Sequence, residues 1–457
     1  MRSHLSRRGL RWASAAVAAS AALTVGSVFG ISNASAGTAA PAAIARADRT
    51  IGPDTRLFVP PPSTGAPQEV LQLIKSHDFK DAALVAEMES IPRAVWFTGG
   101  TPAQVQQQVQ QTMRQAAFER AVPVLVAYNI PGRDCAGLSA GGATNLADYE
   151  AWISALAAGI GHGKAIVILE PDALGLLPSN CGGPNPGYPF DDTDRIAELQ
   201  FAISALEAQP GANVYLDGTH SAWLAVGDIT HRLLEAGVQN AQGFFINLSN
   251  FQPTPNLVDY GTWISDCIAI VTDPSNPLFG NNGACASQYF PANPNDFSTW
   301  GLTTAWYAAH MGSSVATTHF VIDTSRNGNG PNNMQAFAQP PFNQPASVIG
   351  TLANSNWCNP PGAGLGVRPT TATGVPLLDA YLWVKTPGQS DGTCDSQSGQ
   401  RAWDYTAYTL PGWPTDAASQ ALFDPLWGLD DPAAGAWFPQ QALQLAQDAS
   451  PALPSLP

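Results

Sequence analysis

The sequence is poor in charge. Only 12% of its 457 residues are Asp, Glu, Lys or Arg, about half the ~25% of an ordinary soluble domain. The few charges lean acidic, 35 Asp and Glu against 20 Lys and Arg, for a formal net charge of −15. That balance excludes the basic footprint of a nucleic-acid binder and an electrostatic hold on anionic membrane. A neutral polymer suits such a surface better. Metal and nucleotide signatures are missing as well. No Cys-x-x-Cys pair occurs, so a structural zinc site has no ligand pair to start from. The seven His never fall in His-Glu-x-x-His spacing, which removes the zinc-protease pattern. No Gly-x-Gly-x-x-Gly follows the first strand-like run, so a dinucleotide fold has no fingerprint. Beyond the N-terminus no run is apolar enough to span a bilayer.

What is present begins with a targeting segment. Arg2, Arg7, Arg8 and Arg11 precede an apolar stretch, and Ala34-Ser35-Ala36 supplies an A-x-A site. Residues 1–36 therefore read as a signal peptide, of the Sec or twin-arginine type, on a secreted protein. Its removal takes four Arg and no acid, lowering the formal charge from −15 to −19. Residues 37–66 are rich in Ala, Pro, Thr and Gly and are expected to form a flexible lead-in. Residues 67–457 form one domain, with no long low-complexity linker and no separate binding module evident. The cysteines are Cys135, Cys181, Cys267, Cys285, Cys358 and Cys394. An even set in a secreted chain implies three disulfides, drawn from 15 connectivities.

From residue 94 a rhythm appears. The runs "AVWFTGG", "PVLVAYNI", "AIVILEPD", "VYLDGTH", "GFFINLSN", "THFVIDTS" and "AYLWVK" are apolar throughout and end in polar residues. Continuous runs suit parallel strands covered on both faces. Helical patterns such as "TPAQVQQQVQQTMRQAAFERA" and "LADYEAWISALAAGI" separate most of them. The alternation implies a parallel α/β fold, either a barrel one strand short of (β/α)8 or a doubly wound open sheet. Residues 267–313 and 395–434 break the rhythm and read as long loops.

In a β/α barrel the site lies at the C-terminal strand ends. Asp134, Asp172, Asp217, Asp323, Arg326, Lys385 and Asp391 all fall just there. A single Asp in such a place is ordinarily a turn former or helix cap. Several strands each delivering a carboxylate to one rim, in a chain with few charges, point to acid–base chemistry. Clustered carboxylates repel, which raises the pKa of at least one into the range of a general acid. Thirteen Trp add flat apolar faces. Trp96, Trp223 and Trp357 stand near these acids, where ring faces suit the C–H faces of sugars.

The motifs "YNIPGRDC", "VILEPDALG", "YLDGTHSAW", "VIDTSRNGNG", "WCNPPGAGLG" and "LWVKTPGQSDGTC" resemble glycoside hydrolase family 6, the inverting cellulases, in the family's order. The resemblance implies a distorted seven-stranded parallel β/α barrel, TIM-like, with long C-terminal-face loops. It also implies hydrolysis of β-1,4-glucosidic bonds in cellulose or a related β-glucan, with no cofactor and no metal. By this resemblance Asp172 is the general acid, Asp134 raises its pKa and relays a proton, and Asp391 is the base, paired with Arg326. Trp96, Tyr128, Ser139, Asp217, His220, Trp223, Asn247, Trp357, Lys385 and Gln389 are then the sugar contacts. Inversion needs acid and base roughly 6.5–9.5 Å apart, with room for water. The resemblance further implies the pairs Cys135–Cys181 and Cys358–Cys394, leaving Cys267–Cys285 as the third.

Gln389 departs from the family, which usually carries glutamate there. The amide keeps donor and acceptor capacity and loses a charge. It is the only feature favouring a non-catalytic glucan-binding relative. The short Gly-rich loop after Asp134 favours an open cleft and endo action over a cellobiohydrolase tunnel. A monomer is expected.

Overall fold

The computed structural model describes residues 51–181 and 190–454. The signal-peptide reading of 1–36, and the lead-in as far as residue 50, lie outside the described residues. Seven apolar runs become strands: β1 (Val95–Phe97), β2 (Val124–Ala127), β3 (Ala165–Leu169), β4 (Ala212–Asp217), β5 (Gly243–Ile246), β6 (His319–Asp323) and β7 (Leu378–Leu382). They pair in parallel in the order β1 to β7. A doubly wound sheet would reverse that order at a switch point, so the sheet is the curled, barrel-like alternative. At the seam the Ala94 N–H donates to the Trp383 carbonyl at 2.9 Å. No ladder joins β1 to β7 among the described residues, and the barrel stays open there.

Burial explains why the strand runs lack alternation. Every residue of β2, β3, β4 and β5 is buried. Val126, Ile168, Tyr215, Phe245, Val321 and Leu382 fill one core. Their neighbours Leu125, Val167, Leu216, Phe244 and Ile322 fill the other, shared with the helices. Side chains of a strand alternate between faces, and here both faces are dry. The helices start where the caps lie. Thr101 and Gln104 form a capping box at Pro102–Phe118, as do Asp191 and Asp194 at Asp192–Glu207.

Two expectations require correction. From residue 51 onward the supposed lead-in is packed. The Phe58 N–H donates to Val122 O at 3.0 Å, Leu57 and Phe58 are buried, and a helix begins at Ala66. Two adjacent large apolar residues outweigh the Ala/Pro/Gly composition around them. Residues 267–313 are not one loop either. The helix Thr254–Thr272 runs through Cys267, and Gly301–His310 forms another. The segment 395–434 is irregular apart from the short helix Ala417–Leu422. The disulfides are Cys135–Cys181, Cys267–Cys285 and Cys358–Cys394.

Candidate active site

The strand ends open onto a cleft of about 840 Å³. Asp134 and Asp172 line it together with Lys385 and Asp391. Asp134 begins a turn in which three successive residues, Asp134, Cys135 and Ala136, have φ of 59°, 47° and 62°. Left-handed backbone costs a non-glycine residue roughly 1–2 kcal/mol. Such strain persists only where the surroundings hold it, and it gathers at functional sites. Here the Cys135–Cys181 bond and the Ser139 N–H, 2.6 Å from Asp134 Oδ2, do the holding. Burial raises the Asp134 pKa, while the Ser139 N–H and the Arg133 guanidinium oppose the rise.

Asp172, three residues past β3 and also left-handed at φ 63°, is held well above the usual carboxylate range. Burial is the largest cause, followed by the charges of Asp217 and then Asp134. Burial and the neighbouring charges favour the protonated form of this carboxyl. Asp391 has the opposite environment. Burial pushes its pKa up, but Arg326 and Lys385 outweigh burial and bring it to about 2. Arg326 Nη1 lies 2.8 Å from Oδ2 and Lys385 Nζ 2.9 Å from Oδ1. The Asn359 N–H adds a third donor at 2.9 Å. The turn before Asp391 depends on Gly388. Its φ is +84°, and an added Cβ would stand 2.6 Å from the Trp437 ring.

The expected sugar contacts divide into two groups. Trp96, Tyr128, Ser139, His220, Trp223, Trp357, Lys385 and Gln389 all line the cleft. The Trp96 indole N–H donates to Val384 O at 2.8 Å, fixing its ring edge-on to Tyr128. His220 is neutral, because burial lowers its pKa to about 4. Its Nδ1 accepts the Ala222 N–H at 3.2 Å, so Nε2 carries the proton. Asp217 and Asn247 do not line the cleft. Asp217 is buried, and its oxygens accept N–H groups of Leu174, Gly175 and Thr219 at 3.2, 2.9 and 2.8 Å. Asn247 is fully buried and bonds Asp323 O, Asn250 O and the Gln252 N–H. Both have their hydrogen-bonding capacity taken up by backbone. Asp323 likewise accepts N–H groups of Ser249, Ser325, Val384 and Lys385.

Sequence reading missed several residues. Arg133 packs its guanidinium over the Tyr128 ring at 4.7 Å and bonds Thr98 O, Tyr128 O and Ser139 O. Its position beside Asp134 in a charge-poor chain was the available signal. Asn359 accepts the Asp391 N–H on Oδ1 and donates its own N–H to Asp391 Oδ2 and its amide to Ser390 Oγ and Asp431 Oδ2; it had no signal beyond adjacency to Cys358. The run Gly137-Leu138-Ser139-Ala140-Gly141 spells the G-x-S-x-G of a nucleophile elbow. It lies in a loop closed by the Arg133–Gly141 bridge, not on a strand-to-helix turn. Among the described residues no group of three or more His, Cys, Asp or Glu is arranged to hold a metal ion.

Comparison with known proteins agrees with this geometry. Endoglucanase 1 of Streptomyces sp. (strain KSM-9) is 34% identical over 338 residues, 72% of this chain and 72% of that protein. Endoglucanase A of Thermobispora bispora is 30% identical over 362 residues, 78% of this chain. The chain spans only 63% of that relative's length. Among solved structures, the endoglucanase Cel6 from Mycobacterium tuberculosis, in complex with a methyl-cellobiosyl thio-β-D-cellobioside, is 30% identical with a TM-score of 0.57. That match covers 88% of this chain and 99% of the other. The family model for glycosyl hydrolases family 6 matches residues 53–449. With seven parallel strands in barrel order, two aspartates of opposed environment on one cleft, and a family match over residues 53–449, the chain belongs to glycosyl hydrolases family 6.

Proposed function

We propose that this chain is a secreted, endo-acting hydrolase of β-1,4-glucosidic bonds in cellulose or a related β-glucan, working with inversion. One observation carries the reading. A single cleft holds one aspartate kept neutral by burial and like charge, and one kept ionised by two cations. Paired carboxyls with opposed environments are what glycoside hydrolysis needs. Relatives named endoglucanase, and a structural neighbour holding a thio-linked cello-oligosaccharide, support the substrate class. Three disulfides support an oxidising destination, hence a cleaved signal peptide over residues 1–36. We also propose that the chain acts as a monomer.

In the reaction, Asp172 donates its proton to the glycosidic oxygen as the C1–O bond breaks. Water attacks C1 from the opposite face, and its proton passes to Asp391, through a second water where the gap requires it. The sugar then leaves with inverted configuration. A carboxylate held near 2 is a weak base. It suits a water whose proton becomes acidic only as the oxygen bonds to a cationic anomeric carbon. Asp134 keeps charge near Asp172 and so keeps the acid protonated. Trp96, Trp223 and Trp357 offer ring faces along the cleft, and Lys385, Gln389 and His220 offer polar atoms.

The test is product stereochemistry by NMR on a soluble β-1,4-glucan. Fresh product in the α configuration is expected, and β product overturns the inverting assignment. Asp172→Ala should lose at least about 100-fold in kcat on unactivated substrate. Equal activity in that variant would overturn the assignment of Asp172 as the acid, and no activity in the wild type would favour the non-catalytic glucan-binding reading. Fast viscosity loss of carboxymethylcellulose relative to reducing ends is expected for endo action, and slow loss would favour a cellobiohydrolase.

A further inference from the structure

Behind the cleft lies a set of buried ionisable groups that the reaction does not use. Glu170 follows β3, two residues before Asp172, and is fully buried. Its Oε2 accepts the N–H groups of Asn129 and Ile130 at 2.8 and 2.9 Å. Those residues follow Tyr128 and lead to Asp134. Arg195, on the helix Asp192–Glu207, is 2% exposed. Its Nη2 donates to Pro131 O at 3.0 Å, and its Nη1 to Ala173 O at 3.1 Å and Leu176 O at 3.4 Å. One guanidinium thus grips the loop carrying Asp134 and the loop carrying Asp172. Glu198, also fully buried, lies 3.5 Å from Arg195 Nε. Tyr149, on the helix Leu146–Ile160, packs beside Glu170.

Burying this set is costly. Each ion taken from water costs several kcal/mol, and well-packed apolar residues of like volume are often as stable or more so. Stability alone does not call for it. What the set does supply is directional: two N–H groups and three carbonyls on two loops are tied to one strand end and one helix. Those loops need it, because the turn at Asp134 has three consecutive left-handed residues and Asp172 is left-handed too. A strained backbone relaxes unless it is held from behind.

We propose that Arg195 and Glu170 are positioning residues: together they clamp the loop after β2 to the loop after β3, and so set the placement of Asp134 relative to Asp172. Neither touches substrate. The proposal rests on the reading of Asp172 as acid. It adds that the acid's proton depends on residues on the far side of the strand ends from the sugar.

Arg195→Lys is the first test, because it keeps the charge and loses the planar fork that spans two loops. Glu170→Gln, of nearly the same shape, is the second, and either suffices if the other fails to fold. Misplacing a catalytic group by about 1 Å costs on the order of 100-fold in rate. With a cellohexaose substrate, kcat is expected to fall about 10- to 100-fold while KM stays within about threefold. Asp172 faces Asp134, Asp217 and Tyr128, and Glu170 faces Tyr149, Tyr128, Arg195 and Glu198. A loosened clamp admits water to Asp172, so the basic limb of the pH–rate profile in Arg195→Lys should move to lower pH. A residue that only supports the fold would lower thermal stability and leave that limb in place. Wild-type kcat and an unmoved limb in the folded variants overturn the proposal. Crystal structures of the same variants decide it independently of activity. Loops that separate support the clamp and loops that stay in register refute it, even should the wild type cleave no β-glucan.

Discussion

Asp391→Asn tests the most strongly held charge in the cleft. In the wild type the carboxyl titrates at about 2 against an ordinary 3.8, despite its burial. The gap of about 2 units, at 1.36 kcal/mol per unit, amounts to about 2.5 kcal/mol of folding free energy. The folded pKa is depressed, so this contribution is present above about pH 4 and is lost as pH falls through 2. Roughly two thirds of it is gone by pH 2.5. The amide cannot ionise and leaves Arg326, 1% exposed, without its carboxylate. Urea unfolding of both proteins at pH 7, 5, 4, 3 and 2.5 is the assay. The variant should be less stable than wild type by at least about 2.5 kcal/mol at pH 7, and the gap should narrow steadily below pH 4. Turnover should fall by about 100-fold or more with the base removed. A gap that stays constant from pH 7 to 2.5 would refute the claim that Arg326 and Lys385 hold this group ionised.

Asp134→Asn removes one of the charges that raise the Asp172 pKa, so the basic limb of kcat/KM should move to lower pH. A limb that moves to higher pH, or stays put, contradicts the assigned role. Gln389→Glu brings a carboxylate into the cleft shared with Asp391; it should raise the Asp391 pKa and shift the acidic limb to higher pH, read from the same profiles. Gly388→Ala forces a Cβ to within 2.6 Å of Trp437 at φ +84° and should cost about 2 kcal/mol or more, seen as a lowered Tm with loss of activity. Replacing Cys358 and Cys394 by Ser removes a cross-link across 36 residues and should cost about 4 kcal/mol on the chain-entropy estimate, measured by urea unfolding.

The strand series was legible because both faces of β2 to β5 are covered, so each of these appears in the sequence as an unbroken apolar run. Asp134, Asp172 and Asp391 were legible because strand ends in a parallel barrel face one mouth. What the sequence did not show was which strand-end acids face the cleft. Asp217 and Asp172 look alike in the chain, since each ends a strand run and precedes a Gly/Ala-rich turn. Only three dimensions show that backbone N–H groups surround Asp217, while among the described residues no backbone N–H donates to the Asp172 carboxyl. The ranking of causes was hidden for the same reason. Repulsion from Asp134 was the expected source of the raised Asp172 pKa, whereas burial and Asp217 contribute more. The packed segment at Leu57–Phe58 was masked by its composition, because two residues carry the burial.

The acids that do not face the cleft bear on modularity. Glu170 after β3 fastens the loop after β2, Asp217 at the end of β4 fastens the loop after β3, and Asp323 at the end of β6 fastens the loop after β5. Each of these three mouth loops therefore takes a carboxylate anchor from a strand that follows it in the sheet. A loop transplanted into this mouth from another barrel would arrive without its anchor unless its N–H groups met the next strand's carboxylate. For these three loops the practical unit of exchange is a loop together with the acid one strand further on.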